Sequence, residues 1–152
     1  MLMQELNLPT YKFKLRKTDS EQLEIYDEVR LKYLVLTPEE WVRQHFIMYL
    51  HLQKDVPKGL ISIEKGLKVN SMQKRTDIVV YNSKGNASII VECKAPSVKI
   101  KQETFEQIAR YNMNLQVDYL VVTNGLDHYC CKMDYKNNAF HFIKDIPVFN
   151  EL

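Results

Sequence analysis

Glycine is scarce in this chain, four residues in 152 and none of them clustered. No Gly-rich phosphate loop can be built from them, so ATP-driven activity is not encoded here. Cysteine is nearly as rare. Cys93, Cys130 and Cys131 are the only three, and an adjacent pair on a strand points to opposite faces, which argues against a disulfide framework or a metal cluster and for free, buried thiols. The four histidines, His45, His51, His128 and His141, have no zinc-ligand spacing. The opening MLMQELNLPTYKFKLRK lacks the apolar run of a signal peptide, and no later stretch reaches the length of a membrane span. A soluble, cytoplasmic protein without a membrane partner is expected. An excess of one charge is also missing: 21 basic against 19 acidic residues leave +2, so bulk electrostatic gripping of nucleic acid is excluded and any such contact must be local. With no repeat, linker or low-complexity tract, residues 1–152 are expected to form one domain with a single core.

What is present is a clear order of elements. Short strands are expected near Tyr11–Leu15 and Val29–Val35, the first carrying Lys12, Lys14, Arg16 and Lys17 as an amphipathic edge. TPEE at 37–40 reads as a helix start: Thr37 as N-cap, Pro38 in the first turn, Glu39 and Glu40 at the positive end of the dipole, and Glu40 completing a capping box. This helix should run to about Gln53, with Val42, Phe46, Tyr49 and Leu50 inward. Strands are expected at Leu60–Lys65, Arg75–Tyr81 and Ala87–Lys94, a second helix at Gln102–Leu115, and strands at Tyr119–Thr123, His128–Met133 and Ala139–Ile143. The predicted architecture is α/β: a helix, a three-stranded antiparallel meander, a helix, a strand, and an added C-terminal β-hairpin.

The chemistry falls on the hairpin around NSKGN. If its loop is centred between Lys84 and Gly85, residues whose numbers sum to 169 face each other, so Tyr81 meets Ser88, Val79 meets Ile90, and Asp77 meets Glu92. Lys94 projects on the same face as Glu92, with Arg75 opposite it, while Ile78, Val80, Ile89, Val91 and Cys93 supply a core face. Two carboxylates opposed on a sheet repel each other unless something positive lies between them. A hard cation such as Mg²⁺ or Mn²⁺ resolves the conflict, and it can polarise a phosphate and supply an activated water. Lys94 would then orient the nucleophile or stabilise developing charge, which makes phosphodiester hydrolysis the natural reaction class.

At these residues the sequence resembles a known family. TPEEWVRQ (37–44), RTDIVVY (75–81), IIVECKAP (89–96), VVTNG (121–125) and the Ile146-Pro147 pair look like the N-terminal nuclease domain of type I restriction enzyme R subunits, in the PD-(D/E)xK nuclease superfamily. The resemblance implies a restriction-endonuclease-like core and assigns Asp77 as the motif aspartate, Glu92 and Lys94 as the ExK pair, and an acid of the first helix as a further member of the site. Asp77, Glu92 and Cys93 are the expected metal ligands. Thr76 stands where the strict motif has proline. Glu39 is favoured over Glu40 as the helix acid because it lies three and seven residues before Val42 and Phe46, on the inward stripe.

Gln107 and Tyr111 have a Q-x-x-x-Y spacing that resembles a motif beside the active site of RecB-type members, where the Gln helps to hold substrate or water; plain surface residues would read the same way. Lys99 and Lys101, with Arg110, are candidates for phosphate contacts near the start of the second helix, and Thr104 shares the face of Gln107. The expected activity is a stand-alone, Mg²⁺-dependent DNA endonuclease of restriction or repair type. It would work alone or with restriction subunits or a motor protein in trans, and a twofold dimer would suit cleavage of both strands. The alternative is a catalytically silent nuclease-fold module that binds nucleic acid or a protein partner.

Overall fold

The computed structural model describes the backbone of residues 3–69 and 72–152, and side chains for 3–63 and 77–152. Three short strands come first, β1 (Leu15–Lys17), β2 (Leu23–Asp27) and β3 (Lys32–Val35), forming an antiparallel sheet in that order. Helix α1 (Pro38–Gln53) follows, then β4 (Ile61–Val69), β5 (Met72–Tyr81), β6 (Ala87–Cys93), helix α2 (Gln102–Asn112), β7 (Tyr119–Thr123), β8 (His128–Asp134) and β9 (Ala139–Ile143). Strands β4 to β9 make one six-stranded sheet in sequence order, antiparallel except where β7 lies parallel to β6. That single parallel pair requires a crossover, and α2 lies within it.

Helix α1 begins as its sequence dictates. Thr37 Oγ1 accepts the Glu40 amide at 3.0 Å, and Pro38 occupies the first turn. The capping box is only half made. The Glu40 carboxylate turns to Arg43, Arg30 and Gln44 instead of reaching back to the cap. Val42, Phe46, Ile47 and Leu50 pack on Ile78, Val80, Ile89, Val91 and Cys93, the core face read from the hairpin. Tyr11 and Phe13, expected in a strand, lie before β1 and pack on α1, with Phe13 centred 4.9 Å from His45 and 5.5 Å from Trp41. Two aromatic rings bury more apolar area against Trp41 and His45 than they would on a solvent-facing edge.

The hairpin register is largely the expected one: Ile78 pairs with Val91, Val79 with Ile90, and Val80 with Ile89. Past Val80 a bulge shifts it, so Tyr81 pairs with Ala87 rather than Ser88. The second face of these strands is also covered, because Val79, Ile90, Leu120 and Val122 pack under Phe105 and Ala109 of α2. The second helix stops at Asn112, and Met113–Leu115 continues as a tighter 3₁₀ turn.

One glycine is fixed by close packing. Gly125 has φ +86°, and a Cβ placed there would meet Leu6 Cδ2 at 2.8 Å and Val42 Cγ2 at 3.0 Å. Its carbonyl accepts the Asn7 amide at 2.8 Å, holding the N-terminal segment over α1. Gly125→Ala is expected to lose about 1–3 kcal/mol in urea unfolding through overpacking and left-handed backbone strain; wild-type stability in that variant would mean that the Leu6 segment yields without cost.

Candidate functional site

Asp77 stands one residue before the first described pair of the β5–β6 ladder. Its Oδ2 accepts the Cys93 amide at 2.8 Å and its Oδ1 accepts Arg43 Nη2 at 3.1 Å. The cross-strand link from the aspartate to the Glu92-Cys93-Lys94 segment therefore runs through a main-chain N–H. On the other side of that segment, Glu92 pairs with Val122 of β7, and the Lys94 amide donates to the Thr123 carbonyl at 2.8 Å. The main chain of Glu92 and Lys94 is thus held by β7 at the end of the sheet where β6 terminates, and both residues are half-buried.

Helix α1 brings the remaining charge. Arg43 is buried; its Nη1 meets Glu40 Oε1 at 2.8 Å, and its Nη2 meets both Glu39 Oε1, at 2.9 Å, and Asp77 Oδ1. Glu39 and Asp77, from different elements, therefore share one guanidinium nitrogen. Glu40 belongs to a deeper part of the network: it also accepts Gln44 Nε2 at 3.1 Å and Arg30 Nη2 at 3.4 Å. Gln44 Nε2 reaches Asp27 at 2.9 Å, and Asp27, fully buried, also accepts the Val29 and Arg30 amides and Arg30 Nε.

Burial alone would lower the Arg43 pKa, but Glu40 and Asp77 outweigh it and hold the guanidinium above its ordinary value. Burial would likewise raise Asp27, yet the hydrogen bonds from Arg30 and Gln44 keep its carboxyl below the usual range. Both groups are held in the charged form, Arg43 by its carboxylates and Asp27 by Arg30 together with neutral donors from Gln44 and the main chain.

The sequence preferred Glu39 as the inward acid, and burial reverses that order. Glu40 is 7% exposed, whereas the Glu39 side chain is 47% exposed. The reason is a second covering layer, since the Asp27–Arg30 turn closes over the side of α1 that the apolar stripe does not mark. Proximity to Asp77 still favours Glu39, the acid on the shared nitrogen. Cys93 departs further from expectation as a metal ligand. Its thiol lies wholly in the core, where burial first, and then the Asp77 charge, push it well above its ordinary pKa, so only its main chain serves the carboxylate.

The other expected residues are dispersed. Lys99 and Lys101 are exposed on the stretch leading into α2, Thr104 is half-buried, and Gln107, Arg110 and Tyr111 are exposed along the helix. Among the described residues, the hydrogen bonds of Asp77 go to Arg43 and Cys93, not to this group. The Arg75 side chain falls outside the described residues; its backbone pairs with Gly66. Sequence reasoning missed Asp27, Arg30, Arg43 and Gln44. The spacings Glu39 to Arg43 and Asp27 to Arg30 were the available signal, but near neighbours of opposite charge on a helix or in a turn are usually solvated.

Among the described residues, no three His, Cys, Asp or Glu side chains are grouped tightly enough to hold a metal ion. The donor chemistry nevertheless suits a hard divalent cation, since Asp77 and Glu39 present carboxylate oxygens to one positive group. In this conformation that positive group is Arg43.

Residues 38–147 match the model of the family described as type I restriction enzyme R protein N terminus (HSDR_N). No curated protein matches the chain. Among solved structures, the fold is similar to a fragment of a protein assigned as an HsdR subunit of a type I restriction enzyme from Vibrio vulnificus YJ016, with TM-score 0.54 and 18% identity. The match covers 77% of this chain and 24% of that one, so the chain spans about a quarter of the length of that relative. No helix among the described residues is long and apolar enough to cross a membrane.

Proposed function

The chain belongs to the type I restriction enzyme R protein N-terminus family, and from that membership we propose that it is a divalent-metal-dependent DNA endonuclease, restriction or repair related. The observation that carries the reading is the junction at Asp77, bonded through one oxygen to the Cys93 amide and through the other to the Arg43 nitrogen that also holds Glu39. This brings an aspartate, an ExK segment and a helix acid to one end of a sheet. The order α1, β4 to β6, α2, β7 supports a restriction-endonuclease-like core, with β8 and β9 as the added hairpin.

In this reading Asp77, Glu92 and Glu39 offer carboxylate oxygens to Mg²⁺ or Mn²⁺, and Cys93 takes part only through its main chain. A divalent cation held there would polarise the scissile phosphate and lower the pKa of an attacking water. Lys94 supplies positive charge to the phosphate as negative charge builds on it. Arg43 neutralises two of the carboxylates before a metal arrives, so a metal must displace at least its contact with Asp77. Lys99, Lys101, Arg75, Thr104, Gln107 and Tyr111 are the proposed DNA contacts, the lysines meeting phosphates. DNA is the substrate, restriction subunits or a motor acting in trans are the proposed partners, and a twofold dimer would place two such sites on a duplex.

Titrating the protein with Mg²⁺ and Mn²⁺, while melting it and assaying plasmid cleavage, tests this directly. A rise in Tm together with metal-dependent nicking or cutting is expected, because a ligand bound only by the folded state stabilises it. A protein that responds to neither metal would support the second reading, a silent DNA- or protein-binding module. That reading is favoured by one observation, the guanidinium already seated between Asp77 and Glu39.

A further inference from the structure

Phe142 is 53% exposed on β9 and Tyr129 is 36% exposed on β8, although both lie on a sheet face that elsewhere is sealed by α2. They flank a cavity of about 350 Å³ lined by Ile100, Lys101, Gln102, Phe105, Tyr129 and Phe142. Ile100 and Phe105 are its buried members, and the Phe105 ring centroid lies 4.9 Å from that of Phe142 and 6.1 Å from that of Tyr129, at interplanar angles of 36° and 54°. The volume falls in the range of small-ligand sites, and its exposed walls pair the aromatic Tyr129 and Phe142 with the polar Lys101 and Gln102.

Strand pairing relates the cavity to the candidate site. Glu92 pairs with Val122, and Val122 pairs with Tyr129, so these three side chains project from one face in a single row. Phe142 belongs to the next row on that face, which runs through Ile90, Leu120 and Cys131. Neighbouring strands are about 4.8 Å apart, which sets Tyr129 about 10 Å from Glu92 and Phe142 about one strand further. An extended DNA strand bridges that distance within a few nucleotides. Charge at the rim favours a polyanion, since Lys101 lines the cavity and Lys99 is exposed beside it, against Glu103 as the acid of the first turn of α2.

We propose that this cavity seats an unpaired nucleobase of the DNA strand whose phosphodiester lies at Asp77, Glu92 and Lys94. The base stacks on Phe142 and Tyr129, and Lys101 meets the adjoining phosphate; every base offers a π-face, so the seat has little sequence preference. The inference rests on the nuclease reading and refines its substrate to DNA with a single-stranded segment.

The test is fluorescence anisotropy with labelled oligothymidylate and a blunt duplex, both in EDTA so that cleavage plays no part. Phe142→Ala is expected to weaken oligothymidylate binding about tenfold, with duplex binding unchanged and Phe142→Tyr close to wild type. A strand carrying 2-aminopurine should be quenched by wild type and not by Phe142→Ala. Equal oligothymidylate affinity in wild type and Phe142→Ala overturns the seat, as does a Phe142→Ala effect confined to self-association, which would mark the patch as an interface with a second copy. If wild type cuts DNA while Phe142→Ala binds oligothymidylate normally, the seat falls and the nuclease reading stands; if wild type neither binds nor cuts any DNA, both fall.

Discussion

Asp77→Ala is expected to remove metal-dependent DNA cleavage, a loss of roughly a thousandfold or more, since a metal contributes several kcal/mol to a phosphoryl transition state and about 4 kcal/mol corresponds to that factor. The fold should survive. Arg43 retains Glu39 and Glu40, and the cost is mainly the Cys93 amide left without its acceptor, about 1–2 kcal/mol. Asp77→Asn separates the two roles. Its amide oxygen can still accept from Cys93, while the missing charge weakens both the metal and Arg43, so cleavage should be lost with a smaller change in Tm. Cleavage at the wild-type rate in either variant, measured with Mg²⁺ in excess, would falsify the assignment of Asp77.

Arg43 carries the second large effect, this time on stability. Arg43→Ala leaves the nearly buried Glu40 with weaker compensation from Arg30 and Gln44, and takes from Asp77 the positive partner on Oδ1. Breaking a buried ion pair by deleting one partner costs about 3–5 kcal/mol, most of it through Glu40 and Asp77; the exposed Glu39 pair adds little. Denaturant unfolding of wild type and variant measures it. If a divalent cation takes the place of the guanidinium, added Mg²⁺ should raise the Tm of Arg43→Ala by more than it raises the wild type. Arg43→Lys should fall between, because an ammonium cannot present a planar fork to three carboxylates. An Arg43→Ala protein as stable as wild type would show that the network is only tolerated, not stabilising.

Parts of the fold were legible because local chemistry and long-range pattern agree there. TPEE set the start of α1, and the alternation of RTDIVVY and ASIIVEC around NSKGN set the register that brings Asp77 to the Glu92 segment. Strand β2 was not legible. LEIYD is short, and its last residue is an aspartate, depleted in strands, that here is buried and satisfied by Arg30 and Gln44 from outside the strand. The extent of β4 and β5 was underestimated: strands were expected at Leu60–Lys65 and Arg75–Tyr81, but β4 runs on to Val69 and β5 begins at Met72, because Gly66 and the polar stretch Gln73-Lys74 are weak strand formers while the backbone ladder continues to Val69–Met72. At the candidate site, the sequence singled out Asp77 and Glu39 as candidates but not the arginine that joins them, because Arg43 meets Asp77 across 34 positions of chain. Cys93 keeps the core face that strand alternation gives its side chain, so any part it takes in the site runs through its main chain.

The one parallel pair in the large sheet has a consequence for the order of assembly. The β5–β6 and β8–β9 hairpins close over short loops, whereas β6 and β7 meet only after the stretch 94–118, including α2, has been looped back. Loop-closure entropy makes that pairing the slower event. The Asp77 bond to the Cys93 amide can form within the early hairpin, but the Lys94 amide bonds to Thr123 of β7. A folding intermediate with both hairpins intact would thus carry the aspartate in place and the lysine adrift, and activity should return on refolding in step with the last kinetic phase rather than the first.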